Sequence, residues 1–85
     1  METNSTYEFI GQLALCLYNG HITISLSSLN SILEERGMEY GSNRGLASGI
    51  SAAYRYWEEK ENLVIRHAIA HTFVDRNGHP AWQKD

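Results

Sequence analysis

The helical periodicity of residues 44–60 constrains the fold more than any other feature of the sequence. Apolar side chains recur in this segment at spacings of four, three and four residues, at Leu46, Ile50, Ala53 and Trp57. This spacing places them on one face of an α-helix, and such a face packs against the core of a domain. Ser42 or Asn43 precedes the segment and is a suitable N-cap, because either side chain accepts a hydrogen bond from a free backbone N–H.

Two glycines, Gly45 and Gly49, lie four residues apart in the same predicted helix. Glycine costs about 1 kcal/mol relative to alanine in a helix interior, so a pair on one face requires a reason. With Ala52 and Tyr56 they form a stripe of mostly small residues, over which another group can approach the helix closely. We favour the first or fourth helix of the same domain as that group, and the alternative is a partner outside the chain.

The first helix is predicted over residues 5–18. Ser5 and Glu8 have the spacing of a capping box, in which each side chain satisfies the other residue's backbone N–H. Gly20 provides the expected stop, because glycine tolerates the left-handed conformation found at helix ends. Residues 21–25 alternate and are rich in β-branched side chains, which predicts one short strand.

The second helix is predicted over residues 26–36, with Ser25 as its N-cap and Gly37 as its stop. Residues 61–74 fit two interpretations. As a helix capped by Asn62 they place their apolar side chains on one face, whereas as a strand they would need a long partner that the sequence does not supply. We therefore favour a fourth helix.

A turn is predicted at Asn77-Gly78, a dipeptide typical of hairpins. Residues 73–74 and 81–82 are expected to be short extended pieces on either side of it, and residues 21–24 are suited to pair with one of them. The expected fold is thus a mainly α, compact four-helix domain with one short strand after the first helix and a C-terminal turn.

Length and composition set limits on function. A chain of 85 residues forms a single domain with one core, and residues 1–4 and 83–85 are expected to fray. A net charge of −3 with seven lysines and arginines argues against broad, non-specific attraction to nucleic acid. The single cysteine cannot form an internal disulfide, and no signal peptide or long apolar run is present. We expect a cytoplasmic protein that does not enter a membrane.

The reactive residue types form no recognisable catalytic or metal-binding set. His67 and His71 are four residues apart, as in some zinc sites, but no glutamate follows His67 and no third ligand is indicated. We favour ordinary surface or half-buried histidines. Cys16 is expected to be a small core residue, Trp57 to be buried, and Trp82 to pack the tail. We expect no enzyme activity, no metal and no cofactor.

A polar stripe runs along the third predicted helix and is the candidate binding site. Its members have side chains suited to nucleic acid: Ser42, Asn43, Arg44, Ser48, Ser51 and Arg55. Arginine pairs with guanine and asparagine with adenine, while serine hydroxyls and a helix N-terminus suit phosphate.

The order of elements (helix, short strand, two helices, then a tight turn between extended pieces) resembles the winged-helix class of helix-turn-helix domains. The resemblance covers most of the chain as a pattern of elements and includes no specific family motif. It departs from the class in the long connection before the third helix and in the fourth helix, which stands where a wing strand is usual. It implies a recognition helix that reads DNA near its N-terminal end.

Two functions from different classes follow from these features. The first is a small regulator that binds double-stranded DNA through the third helix, expected to act as a homodimer because one such helix reads few base pairs. The second is an adaptor that binds a basic protein partner through an acidic and aromatic surface. The acidic residues of that surface flank the third helix on both sides: Glu34, Glu35, Glu39, Glu58, Glu59 and Glu61.

Overall fold

The computed structural model describes residues 3–38 and 40–80, apart from the side chains of Thr3 and Asn43. Four helices and two short strands follow one another in the order α1 (Thr3–Asn19), β1 (Ile24–Ser25), α2 (Leu26–Glu35), α3 (Asn43–Glu59), α4 (Leu63–Thr72) and β2 (Phe73–Val74). The mainly α, four-helix prediction is confirmed. No helix in the described part of the chain has both the length and the apolar character needed to cross a membrane.

The N-caps of three helices are those predicted. The Ser25 hydroxyl accepts from the N–H of Ser28 at 3.2 Å, and the Ser42 hydroxyl accepts from Gly45 at 3.1 Å. The Asn62 side chain likewise accepts from the N–H of Ile65 at 3.1 Å, so residues 63–72 are helical. Of the two candidates for the α3 cap, the structure uses Ser42.

The start of α1 differs from the prediction. Ser5 lies inside the helix and forms no capping box, because α1 already includes Thr3 and Asn4. The carboxylate of Glu8 instead accepts a hydrogen bond from the Tyr56 hydroxyl on α3. Fraying was expected over residues 1–4, yet residues 3 and 4 are helical; residues 1, 2 and 83–85 lie outside the described residues.

Three helices end in the same way, with one residue in the left-handed conformation. After α1, α2 and α3 this residue is His21, Gly37 and Glu61, with φ of 59°, 71° and 59°. In each case the following N–H reaches the carbonyl five residues earlier, as Ile22 does to Leu17 at 2.9 Å, which is the pattern of a Schellman motif. The stop at Gly37 is confirmed. The stop predicted at Asn19-Gly20 is confirmed in position, because α1 ends at Asn19, but His21 rather than Gly20 takes the left-handed conformation.

A two-stranded parallel sheet joins the ends of α1 and α4. Ile24 pairs with Phe73, and Ser25 with Val74, so the predicted pairing of residues 21–24 with residues 73–74 is confirmed in part. His21–Thr23 are not in the strand, because the left-handed turn at His21 precedes it. An antiparallel bridge between Val74 and Pro80 closes the turn over residues 75–79; residues 81 and 82, including Trp82, lie outside the described residues.

The core lies where α1, α3 and α4 meet. All four apolar residues of the α3 periodicity are buried, as predicted, and the core also includes these residues of the other elements: Ile10, Ala14, Leu29, Leu33, Ile65, Ala68, Ile69 and Phe73. The Trp57 indole N–H donates to the backbone oxygen of Tyr7 at 2.9 Å. Cys16 is exposed and the prediction of a core position is wrong, because it lies two residues beyond Ala14, about 200° around the helix.

Gly11 allows the close approach of α1 to the other two helices. A Cβ atom on Gly11 would lie 2.5 Å from Cε2 of Trp57 and 2.9 Å from Cγ2 of Ile65. Both distances are well inside van der Waals contact, so only glycine fits this crossing.

Candidate nucleic-acid interface

The polar stripe of α3 faces away from the core. Ser42, Arg44, Ser48 and Arg55 are exposed and Ser51 is half-buried, whereas the side chain of Asn43 lies outside the described part. The four residues within the helix, at positions 44, 48, 51 and 55, share one face because their spacings of four, three and four follow the helical repeat. The buried apolar face lies on the opposite side of the same helix. The structure therefore places Arg44, Ser48, Ser51 and Arg55 on one side of α3, away from the core.

The two arginines of this face have no carboxylate partner among residues 3–38 and 40–80. With a rise of 1.5 Å per residue, Arg44 and Arg55 are separated by about 16 Å along the helix axis. Arg44 lies in the first turn, where backbone N–H groups are also free of helical partners. The face thus carries two positive charges about 16 Å apart along the helix axis.

Other cations near α3 are already engaged. Lys60 lies 3.8 Å from the Glu8 carboxylate and stacks over the Tyr56 ring. Arg66 donates to Glu58 at 2.9 Å. The ion pairs of Lys60 and Arg66 leave these two residues less available to an anionic ligand than Arg55.

The stripe of small residues on α3 is covered by the chain itself, but not by a helix. Tyr40, in the connection before α3, lies over it, and a Cβ atom on Gly49 would be 2.5 Å from its Cζ atom and 2.7 Å from its Cε1 atom. The prediction that α1 or α4 crosses here is therefore wrong, although packing within the domain does explain the glycines. Burial, together with the nearby Tyr7 phenol, raises the pKa of Tyr40.

A second polar feature lies at the start of α2. A cleft of about 340 Å³ separates this helix end from the turn after β2, and Ser25, Ser27, Arg76 and Asn77 contribute to its walls. The carboxylate of Asp75 accepts from the N–H groups of His79 and Asn77, which lowers its pKa. The sequence predicted the turn but not that strand pairing would bring Arg76 close to α2.

Exposed acidic residues lie at the C-terminal ends of α2 and α3. Glu34 and Glu35 are exposed at the end of α2, Glu59 is the exposed last residue of α3, and Glu61 is exposed just after it. Glu39 lies outside the described residues. The described residues thus include two exposed arginines on one face of α3 and exposed glutamates at the C-terminal ends of α2 and α3.

Comparison of the sequence with protein-family models, and of the sequence and structure with curated proteins and solved structures, found no match. The function must be inferred from the surface of this chain alone.

Proposed function

We propose that the protein is a small, non-enzymatic intracellular regulator that binds double-stranded DNA through the exposed polar face of α3. The observation that carries the proposal is the pair Arg44 and Arg55, which share one exposed face and have no ion-pair partner in the described residues. Unpaired guanidinium groups bind an anionic ligand without first breaking an existing ion pair, and their planar fork can make two hydrogen bonds to one phosphate or base edge.

Each residue of the face has a distinct role in this proposal. Arg44, in the first turn of α3, suits the bidentate contact that arginine makes with the O6 and N7 atoms of guanine. Asn43 is placed next to it in sequence, where its amide suits adenine. Ser48 and Ser51 donate hydroxyl hydrogen bonds, and Arg55 neutralises a phosphate about 16 Å from Arg44. A second copy of the chain would extend the short site that one helix reads.

A second candidate function is an adaptor for a basic protein partner. The exposed glutamates at the ends of α2 and α3, with the net charge of −3, favour it. Such a partner would contact the acidic groups and would not require Arg44 or Arg55. The two functions therefore differ in which side chains matter.

Fluorescence anisotropy with a labelled duplex of mixed sequence tests the proposal. At physiological salt, wild-type protein is expected to bind with a dissociation constant of roughly 1–100 µM, the range of non-specific DNA binding. Arg55→Ala should weaken binding and reduce the dependence of log K on log salt by about 1. Lys60→Ala removes the same charge from the end of the same helix, where Glu8 already pairs with it, and should bind almost as wild type.

Three results would overturn the DNA proposal. The first is the absence of DNA binding at about 100 µM protein. The second is an equal loss of affinity in Arg55→Ala and Lys60→Ala. The third is DNA binding of wild-type affinity by the Arg44→Ala, Arg55→Ala double variant. Capture of a basic protein from nuclease-treated lysate, lost when Glu34 and Glu35 are replaced by glutamine, would instead support the adaptor.

A further inference from the structure

Two histidines on α4 lie side by side at the surface. His67 and His71 are one helical turn apart and both exposed, with ring centroids 4.3 Å apart and ring planes inclined by 43°. Two imidazoles that each bind one ion at about 2.0–2.1 Å, with an angle near 90° at the metal, place their ring centres roughly 4.5 Å apart. The observed separation is thus close to that of a cis pair of ligands.

Tyr18 on α1 contacts the imidazole ring of His67. Its hydroxyl lies 2.9 Å from Nε2 of His67, and the two rings meet edge to face at 5.2 Å. When Nε2–H of His67 donates this hydrogen bond to the Tyr18 oxygen, Nδ1 carries the lone pair that can bind a metal ion. Metal-binding histidines commonly have the second ring nitrogen hydrogen-bonded in this way, which fixes the orientation of the ring.

His71 borders open space. A cleft of about 300 Å³ is lined by this residue together with Tyr18, His21, Ile22 and Thr23. This volume accommodates an ion with several bound waters, since each water occupies about 30 Å³. No set of three histidine, cysteine, aspartate or glutamate side chains in the described ranges is arranged to hold a metal. Any ion held here has two protein ligands, and water completes its coordination.

We propose that His67 and His71 form a bidentate surface site for a late divalent transition-metal ion, with Cu²⁺ and Ni²⁺ as the best fits. Both ions prefer imidazole nitrogen and accept tetragonal or octahedral geometry with water in the remaining positions. A closed tetrahedral zinc site would need four protein ligands, which this cluster does not provide. The site is on a different helix from the DNA-binding face and does not depend on it.

Titration calorimetry of the full chain with NiCl₂ tests the site. Wild type is expected to bind one Ni²⁺ per chain. Either His67→Ala or His71→Ala should weaken binding by about tenfold or more, because each variant leaves the ion with one histidine ligand instead of two on the same chain. The matched control is His79→Ala, which removes an exposed histidine from the turn after β2 and should bind as wild type. His21→Ala should also leave the affinity unchanged.

Circular dichroism of each variant confirms that the helices are retained. The proposal is overturned if wild type shows no saturable binding, if either α4 variant binds as wild type, or if His21→Ala loses as much affinity as His67→Ala. An independent readout is thermal unfolding: Ni²⁺ should raise the melting temperature of wild type and His79→Ala, but not that of His71→Ala.

Discussion

Replacing Gly11 with alanine places a methyl group where α1, α3 and α4 meet. The added Cβ would lie 2.5 Å from Cε2 of Trp57 and 2.9 Å from Cγ2 of Ile65. Trp57 is only 5% exposed, and its indole N–H is held by the Tyr7 carbonyl, so the ring cannot move aside without breaking that hydrogen bond. The substitution therefore tests directly whether the helices cross as closely as the structure shows.

Three contributions determine the expected loss of stability. Overpacking of a core by one methyl group costs about 1–3 kcal/mol, and loss of the indole hydrogen bond adds about 0.5–1.5 kcal/mol. The higher helix propensity of alanine relative to glycine stabilises the helix by about 1 kcal/mol and offsets part of this loss. The net destabilisation is about 2 kcal/mol, which corresponds to a fall in melting temperature of about 8–16 °C for a domain of this size.

Thermal and urea unfolding, followed by circular dichroism, measure this change. Gly20→Ala is the matched control, because a Cβ atom there would meet its nearest neighbour, Cδ1 of Ile22, at an ordinary 3.5 Å. It should change stability by less than about 0.5 kcal/mol. A Gly11→Ala protein as stable as wild type would refute the close crossing, since alanine would then gain helix propensity with no clash.

Three further predictions concern the connection before α3 and the turns. In urea unfolding, Tyr40→Ala should lower the free energy of unfolding by about 2 kcal/mol, because the ring that packs over Gly49 is removed. Tyr40→Phe keeps the ring and should lower it by less than about 1 kcal/mol. Equal losses of stability in the two variants would argue against packing of the ring as the cause. Glu61→Gly should stabilise the protein by about 1 kcal/mol by relieving the left-handed conformation, and a lower melting temperature would contradict this. Folding lowers the pKa of Asp75 from its ordinary 3.8, so the ionised carboxylate stabilises the folded state above that pH and this stabilisation is lost as the pH falls through the folded-state pKa. The melting temperatures of wild type and Asp75→Ala should therefore converge in acid. A constant difference between them would be inconsistent with the pKa shift.

The features predicted correctly are those determined within a few residues along the chain. Ser25, Ser42 and Asn62 act as caps because a side chain and the N–H it accepts from are three residues apart. The buried and exposed faces of α3 were likewise predictable, since helical spacing alone fixes which side chains share a face.

Two of the features that were not predicted depend on contacts between segments that are distant in the sequence. The third depends on which of two adjacent residues takes the left-handed conformation, and the residue types alone do not determine this. Tyr40 covers Gly49 only because the connection before α3 turns back over that helix. Gly11 faces Trp57, 46 residues further along the sequence. At the end of α1, His21 rather than the adjacent Gly20 takes the left-handed conformation, so the presence of a glycine did not identify the position that needed it.

We propose that the outward face of α3 binds DNA. Two-dimensional ¹H–¹⁵N NMR of labelled protein, titrated with an unlabelled duplex at low salt, tests it residue by residue. The largest shift changes are expected at Arg44, Ser48, Ser51 and Arg55, and they should decrease as salt is added. Unchanged spectra, or changes confined to the acidic ends of α2 and α3, would contradict the claim.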